Sequence, residues 1–321
     1  MIRYRTYRNA DPPILARLWN RGTPDVGVAR SLGSHEFDAL VIDKPTFDPL
    51  GLIVAEEENG MAIGFVHAGF GPADDGRRPR EVDTEIGTVA MLCVEPDRSE
   101  DDDLLRGLVA AAEVYLRGRG AKLIYAGGQH PLNPFYWGVY GGSECAGILS
   151  SHLAFTRAVG RSGFEPVSHT ALLQADLSAQ EIRDPKGVIL RRQTRLDLTD
   201  DAPPDNWWDA AAIGLFRPTT YRLVAKADDR EIAHARTWDM ACFGRNDGRV
   251  HIGLIDVEVE NEFRRQGFGR HLVGEIMRKV RSQWAEVIEV QTRSVNAPAL
   301  RLYESLGFAR VETSTLYRKP G

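Results

Sequence analysis

The sequence predicts an α/β protein of the α+β type in which one fold occurs twice in tandem. The chain has 321 residues, a length that suits two domains of ordinary size. Segments with alternating apolar residues, typical of strands, lie between segments in which apolar residues repeat at helical spacing. The order of strand, helix, hairpin, strand and helix recurs in both halves and indicates an internal repeat. We therefore expect a first domain over residues 1–177 and a second over residues 178–321.

The composition is that of a globular protein, with 43% hydrophobic and 26% charged residues. No run approaches the ~20 apolar residues that a membrane span needs, and the N-terminus lacks the apolar block of a signal peptide. Three cysteines (Cys93, Cys145, Cys242) follow no metal-ligand pattern, which favours buried thiols in a reducing cytoplasm. The net charge of −5 argues against a nucleic-acid partner and is compatible with a cationic amine.

The first half opens with a predicted strand over residues 2–7 and a helix over 13–20. Asn59-Gly60 lies between two alternating runs, which is a strong hairpin signal. The next predicted elements are a strand, an amphipathic helix and a strand, over residues 86–94, 104–116 and 122–126.

A long loop over residues 127–144 alternates aromatic residues with glycines. Loops of this composition often line a ligand cleft. In one interpretation the loop only covers a sheet edge. In the other, four side chains face the second domain and help to hold an acceptor: Tyr136, Trp137, Tyr140 and Glu144.

The second half follows a polar segment over residues 178–187, which is the predicted linker. After a helix over 206–215, antiparallel strands are expected over 221–227, 231–240 and 249–259.

A strand-to-helix turn near the C-terminal end carries the first functional motif. Apolar alternation continues to Val259, and helical spacing begins at Leu272. Gly267 and Gly269 lie in the turn and leave N–H groups exposed at the helix start. Those N–H groups and the helix dipole form an anion site suited to a pyrophosphate. No Gly-Lys-Ser/Thr follows and a third glycine is missing, so Walker and dinucleotide loops are excluded.

A second motif follows a strand predicted over residues 287–292. It reads Asn296-x-x-Ala299-x-x-Leu302-Tyr303-x-x-x-Gly307-Phe308. With Arg264-x-x-Gly267-x-Gly269, it resembles the GNAT superfamily of acyl-CoA-dependent N-acyltransferases. The resemblance implies in each copy a mixed, mostly antiparallel twisted sheet flanked by helices. The two-copy arrangement is similar to that of mycothiol synthases, GNAT enzymes that act on an amino sugar.

The resemblance also implies a site for acetyl-CoA as co-substrate, without a metal. The pantetheine arm would pair with the main chain of Val257 and Val259, and Asn296 would contact the arm or a bound water. The pyrophosphate would bind the turn, through the residues Arg264, Arg265, Gln266, Gly267, Phe268, Gly269 and Arg270.

Tyr303 is the candidate general acid, which would protonate the departing thiolate of coenzyme A. Its spacing also suits a core aromatic residue. The position where family members often carry the general base is Gly253 here. His251 and Glu258 are therefore the candidate bases, with Glu289 as a further candidate, and a water chain ending in the first domain is an equal alternative.

The first half lacks the residues of both motifs. With Val94 aligned to Val259, the loop arginine becomes Ser99, and residues 100–103 are all acidic. Val159 replaces the tyrosine and His152 replaces the asparagine. An acidic loop repels a pyrophosphate and a valine donates no proton, so we expect the first half to be catalytically silent.

These observations predict a cytoplasmic N-acetyltransferase, monomeric or homodimeric, whose second domain transfers an acetyl group from acetyl-CoA to a primary amine. A small-molecule acceptor is favoured. The alternatives are a non-catalytic acyl-CoA binding or sensor protein and an acetyltransferase for protein N-termini or lysines.

Overall fold

The computed structural model describes residues 2–72, 81–129, 132–178, 182, 184–201, 203–204 and 206–320. The strands in these ranges are β1 (Arg3–Thr6), β2 (Leu52–Glu56), β3 (Ala62–Pro72), β4 (Val82–Val94), β5 (Leu123–Ala126), β6 (Ile148–Leu149), β7 (Glu165–Asp176), β8 (Thr194–Thr199), β9 (Thr219–Ala225), β10 (Glu231–Asp239), β11 (His251–Val259), β12 (Val287–Arg293) and β13 (Ala309–Arg318). The α-helices are α1 (Pro12–Gly22), α2 (Ser34–Phe37), α3 (Asp102–Gly118), α4 (Leu153–Arg161), α5 (Gly187–Gln193), α6 (Trp207–Ile213), α7 (Ala241–Gly244), α8 (Phe268–Ser282) and α9 (Ala297–Ser305). Short 3-10 or π turns cover Asp38–Ile42, Pro49–Gly51, Pro96–Arg98, Gly214–Phe216 and Asn261–Phe263.

The strands form one mixed sheet in the order β1-β2-β3-β4-β5-β13-β7-β12-β11-β10-β9-β8, with β6 paired to β13. The pairs β4–β5 and β11–β12 are parallel, and the other pairs are antiparallel. The predicted fold class, a mostly antiparallel mixed sheet flanked by helices, is therefore confirmed.

The repeat predicted from the sequence is visible in the connections. Each half has an antiparallel pair, then a parallel pair joined through one long helix, α3 in the first half and α8 in the second. The apolar residues that repeat at helical spacing in the sequence form the buried face of α8. This face packs on the second half of the sheet through Leu272, Val273, Ile276, Met277 and Val280.

The last strands of the two halves are exchanged in the sheet. β7 comes from the first half, but its second part pairs with the whole of β12, from Thr170 opposite Arg293 to Asp176 opposite Val287. β13 ends the second half but pairs with β7 and, at Tyr317 opposite Ala126, with β5. The backbone ladder thus runs unbroken across the predicted boundary at residues 177 and 178, which itself stays a prediction.

Three apolar clusters pack on the sheet. One lies under α3 and α4, and another under α8 and α9. The third covers the opposite face and contains most of the aromatic residues of the loop after β5. Tyr136 in this cluster stacks on Trp19 with 5.5 Å between ring centroids, and its hydroxyl lies 3.0 Å from His67 Nδ1.

The cysteines are free thiols. Cys93 and Cys145 are buried, as expected, and Cys242 is partly exposed. Burial raises the pKa of all three thiols.

Across the described ranges, we find no helix with the length and apolar character needed to cross a membrane.

Because β7 joins the halves, a core defect on it is expected to destabilise both. Leu172 is fully buried on β7, and Leu172→Ala should lower the free energy of unfolding by about 2–5 kcal/mol. Urea unfolding should show one transition, shifted as a whole. The control Val311→Ala removes a half-exposed side chain from β13 and should change stability by no more than about 0.5 kcal/mol. Two separate transitions, with only one of them shifted, would contradict this coupling.

Candidate active site

The gap between β11 and β12 is the feature on which the site is built. The two strands pair only from His251 opposite Val287 to Leu254 opposite Val290. Just beyond, Asp256 has a φ of +53° and the register with β10 shifts, so β11 contains a bulge. The strands diverge after the bulge and leave an open gap between them.

The main chain of β11 directs hydrogen-bonding groups into this gap. The Glu260 N–H donates to Ile232 O on the β10 side at 2.9 Å. Successive residues of a strand direct their N–H and C=O groups to opposite sides, so those of Val257 and Val259 point into the gap. The role that the family resemblance implies for these two residues, as main-chain partners of an acyl-carrier arm, stays a prediction.

The turn between β11 and α8 has the geometry of an anion site. Gly267 is the N-cap residue of α8 with a φ of +103°, which favours glycine, and Arg265 is also left-handed with a φ of +61°. The first N–H groups of α8, from Phe268 onwards, have no acceptor within the helix and carry its positive dipole end. A Cβ added at Gly269 would lie 3.2 Å from Val259 Cγ2, so this glycine keeps the turn close to β11.

Three of the predicted pyrophosphate ligands have defined contacts around the turn. Arg264 Nε donates to Val259 O at 2.8 Å, Arg270 donates to Ser305 O at 3.0 Å, and Gln266 Nε2 donates to Glu262 O at 2.8 Å. Phe268 is buried and packs edge-on against Phe263, so it can contribute to the site only through its backbone.

The sequence analysis missed one cation at this turn. Exposed Lys186 Nζ donates to Gln266 O at 3.2 Å. The segment that carries it is anchored to α8, because Asp184 Oδ2 accepts a 2.6 Å hydrogen bond from His271 Nδ1. Lys186 belongs to no motif, and only the packing of the linker against α8 reveals it.

Asp184, His271 and Glu275 lie close enough to hold a metal ion. However, the Glu275 carboxylate pairs with Arg191 at 2.9 Å and with Arg278 at 2.8 Å. A carboxylate neutralised by two guanidinium groups is a poor metal ligand, and the cluster is better described as the ion-pair network that fastens the linker.

The second motif forms α9 and its N-terminus. Asn296 is the N-cap residue: its Oδ1 accepts from Ala299 N at 3.3 Å and its Nδ2 donates to Thr292 Oγ1 at 3.1 Å. Tyr303 is 4% exposed and packs against Phe308. Among the described residues, its hydroxyl has no hydrogen-bond partner. Burial and the charge of Glu144 raise the pKa of Tyr303 well above its usual value.

A cavity of about 260 Å³ lies beside the gap, at the junction of the two halves. The second half contributes the bulge residue Asp256, the β12 residue Gln291 and the α6 residue Ile213. The first half contributes Trp137 and Glu144 from the aromatic loop. Strand alternation predicts that Asp256 points away from this side, but the bulge at this residue breaks the alternation and places it in the wall.

The two carboxyl groups of the cavity wall differ in their partners and in their pKa. Asp256 pairs with Arg236 across β10 and β11. Enclosure and the nearby charges of Asp256 and Glu289 raise the pKa of Glu144 to about 8, against a smaller opposing effect of Arg236.

The candidate bases from the sequence lie outside the cavity wall. His251 Nε2 lies 3.0 Å from Asp247 Oδ2 near the start of β11. The Glu258 side chain is 59% exposed and lies 3.8 Å from Arg264. Glu289 is 1% exposed and accepts hydrogen bonds from Ser143 N and Gln174 Nε2.

The side chains of the aromatic loop lie in two environments. Tyr136 and Tyr140 are buried in the core of the first half, where the Tyr140 hydroxyl lies 3.1 Å from His152 Nδ1. Trp137 and Glu144 line the cavity shared with the second half. Trp137 is itself buried in the same apolar cluster as the two tyrosines, and a role of the loop in holding an acceptor stays a prediction.

The equivalent turn of the first half is filled by acidic side chains. Asp101 caps α3, its Oδ1 accepting from Leu104 N at 3.0 Å. Asp102 accepts from Arg157 Nε at 2.7 Å and lies 3.4 Å from Arg161. These carboxylates already occupy the positive end of α3 and pair with arginines of α4.

Comparison with known proteins agrees with this geometry. Residues 188–308 match the model of the acetyltransferase (GNAT) family. This range of the chain, which contains the strand gap, the glycine turn and α9, is therefore similar to a GNAT domain, which supports an acyltransferase.

Two curated relatives are both named [ribosomal protein bS18]-alanine N-acetyltransferase. The Escherichia coli K12 protein is 26% identical, over 28% of this chain and 76% of the relative. The Salmonella typhimurium LT2 protein is 34% identical, over 32% of this chain and 64% of the relative.

Solved structures share the fold of the whole chain. A GCN5-related N-acetyltransferase from Sphaerobacter thermophilus has a TM-score of 0.65 and 16% identity, over 100% of this chain and 96% of that one. A tandem GNAT protein from the clavulanic acid biosynthesis pathway has a TM-score of 0.65 and 14% identity, over the full length of both. A glucosamine N-acetyltransferase region of a fungal multi-domain GH3 β-N-acetylglucosaminidase has a TM-score of 0.71 and 16% identity. That match covers 99% of this chain but only 38% of the larger protein.

The cap geometry predicts a measurable contribution of Asn296 to stability. Asn296→Ala removes the acceptor for Ala299 N and should lower the free energy of unfolding by about 1 kcal/mol in urea titrations. Asn296→Asp keeps a capping oxygen and should remain close to wild type. Equal stability of Asn296→Ala and wild type would show that the cap contributes nothing.

Proposed function

We propose that this protein is an N-acetyltransferase that moves an acetyl group from acetyl-CoA to a primary amine, with its second half as the working site. The observation that carries the proposal is the gap between β11 and β12, which leads to the glycine turn at the start of α8. The gap would hold the pantetheine arm, and the turn at its end would hold the pyrophosphate.

The cofactor would be held mainly by main-chain groups. The pyrophosphate would accept hydrogen bonds from the first amides of α8, with Arg264, Arg265 and Lys186 adding positive charge. The pantetheine arm would pair with Val257 and Val259, which brings the thioester to the cavity. A free amide of β11 directed at the thioester oxygen would stabilise the oxyanion by about 3 kcal/mol.

Tyr303 would then act as the general acid. Its side chain is 4% exposed, its hydroxyl lacks a partner among the described residues, and its raised pKa keeps the proton in place at neutral pH. Proton transfer to the departing sulfur makes coenzyme A a thiol instead of a thiolate, which lowers the barrier to C–S cleavage.

The cavity volume favours a small acceptor. A volume of 260 Å³ lies just below the ~300 Å³ at the lower end of small-ligand pockets. Acetylation of a protein N-terminus is the second candidate, because the curated relatives are named as alanine N-acetyltransferases of a ribosomal protein.

Gly267→Asp should abolish acetyl-CoA binding, because it adds both a side chain at a φ of +103° and a negative charge in the anion site. Gly60→Asp is the matched control: Gly60 is also left-handed, at +81°, but lies in the β2–β3 hairpin with open space around it. Calorimetry should find one acetyl-CoA per chain in wild type and in Gly60→Asp, and none in Gly267→Asp.

Either of two results would contradict this assignment. Undiminished affinity in Gly267→Asp would remove the turn from the cofactor site. Two cofactors per chain would show that the first half is not silent.

Tyr303→Phe should lower kcat by about 10²- to 10⁴-fold while leaving acetyl-CoA affinity nearly unchanged, because only the donated proton is lost. Coenzyme A release measured with a thiol reagent gives kcat, and Tyr317→Phe on β13 serves as the control. Unchanged turnover in Tyr303→Phe would rule out the general-acid role. Tight cofactor binding without turnover of any amine by the wild type would support a sensor instead of an enzyme.

A further inference from the structure

The wall of the cavity contains a carboxylate that the mechanism above does not use. Glu144 belongs to the first half, whereas the cofactor gap belongs to the second. Its charge reaches Tyr303, whose pKa it helps to raise, so the carboxylate and the phenol belong to one electrostatic environment. Glu144 therefore lines the cavity within electrostatic range of the proposed acid.

Side chains of β12 hold the Glu144 segment in place. Glu289 accepts from Ser143 N at 2.5 Å, and Gln291 Nε2 donates to the carbonyl oxygens of Gly141 and Glu144, the latter at 2.9 Å. Gly142 has a φ of +73°, and a Cβ there would lie 2.0 Å from Glu289 Oε1. The segment therefore fits only in this conformation, and the second half fixes the position of Glu144.

The same contacts leave an unsatisfied acceptor at the cavity. Both amide hydrogens of Gln291 are directed at carbonyl oxygens, which fixes the orientation of its side chain. Gln291 is 6% exposed, and its Oε1 has no donor among the described residues. A buried acceptor without a donor costs free energy, so this atom favours a ligand that brings an N–H group.

A carboxylate and an unsatisfied carbonyl oxygen suit an ammonium group, which has three donors and no acceptor. Asp256 is already paired with Arg236, so Glu144 is the group of the wall that supplies a negative charge once it is deprotonated. A neutral hydroxyl group would gain much less from this environment than a cation.

We propose that Glu144 is the catalytic base of the acceptor site and that, with Gln291 Oε1, it selects a small primary amine bound as its ammonium ion. This inference rests on the proposed function and names the acceptor class and the base. Glu144 takes one proton from the ammonium group, and the freed lone pair attacks the thioester carbonyl carbon. The C–S bond breaks as Tyr303 protonates the sulfur and recovers a proton from the attacking nitrogen. The proton on Glu144 is then released to solvent.

The pH dependence follows from the groups around Glu144. It is surrounded by Asp256 and Glu289, which raise its pKa, by Arg236, which lowers it, and by the neutral phenol of Tyr303. Because the base acts when deprotonated, kcat/KM should rise with pH through about 8. Removal of the carboxylate should abolish this limb of the pH profile, the rise through about 8. The remaining pH dependence of kcat/KM should follow only the fraction of free amine.

The test uses the full chain, the variants Glu144→Gln and Glu144→Asp, and the control Glu165→Gln on an exposed part of β7. The acceptor probes are glucosamine, putrescine and benzylamine, with a peptide that begins with alanine as the competing class. At pH 7, Glu144→Gln should lower kcat/KM for the small amines by about 10²- to 10⁴-fold. Glu144→Asp should recover part of the activity, and Glu165→Gln should match wild type.

Calorimetry with acetyl-CoA and urea unfolding separate the possible failures. Glu144→Gln should bind acetyl-CoA as wild type does and unfold at a similar urea concentration. Turnover in Glu144→Gln equal to wild type, or an unchanged pH limb, would overturn the assignment of the base while leaving the proposed function intact. Acetylation of the peptide but of no small amine would overturn the acceptor class. Acetyl-CoA binding without acetylation of any probe by wild type would overturn the proposed function and this inference with it.

Discussion

The exchange of the last strands is the constraint on which the rest of this structure depends. β7 lies between β12 and β13, so each half completes the sheet of the other. A continuous ladder satisfies the backbone groups of these central strands and removes two sheet edges that would otherwise attract other chains. The same ladder brings the aromatic loop of the first half over the divergent strands of the second.

The two halves therefore divide the work of one site. The second half provides the strand gap, the glycine turn and Tyr303, which in the proposed function hold and use the acyl-CoA. The first half provides the opposite wall of the cavity through Trp137 and Glu144. In the proposed function, a cavity made from both halves would position the acceptor against the thioester, which is where most of the rate enhancement of such a transfer can arise.

Electrostatics distinguishes the two copies of the fold more than shape does. Both long helices begin at the end of a strand of a parallel pair, and both N-termini carry a positive dipole end. In α8 this end faces arginines and an exposed lysine, whereas in α3 it is capped by Asp101 and lies beside the Asp102–Arg157 pair. A pyrophosphate is attracted to the first arrangement, and carboxylates have taken its place in the second.

The sequence by itself determined the fold class, the repeat, the turn at residues 264–269 and the position of Tyr303 on the last helix, because these follow from local periodicity and from glycines at fixed spacing. Only the tertiary structure decided the exchange of β7 and β13, the placement of Lys186 at the turn and the entry of Asp256 into the cavity wall. It also placed Trp137 and Glu144 in the cavity wall, whereas Tyr136 and Tyr140 lie in the apolar cluster beside it. The physical reason is that these features depend on strand pairing across more than a hundred residues and on one bulge, neither of which leaves a periodic signal in the chain.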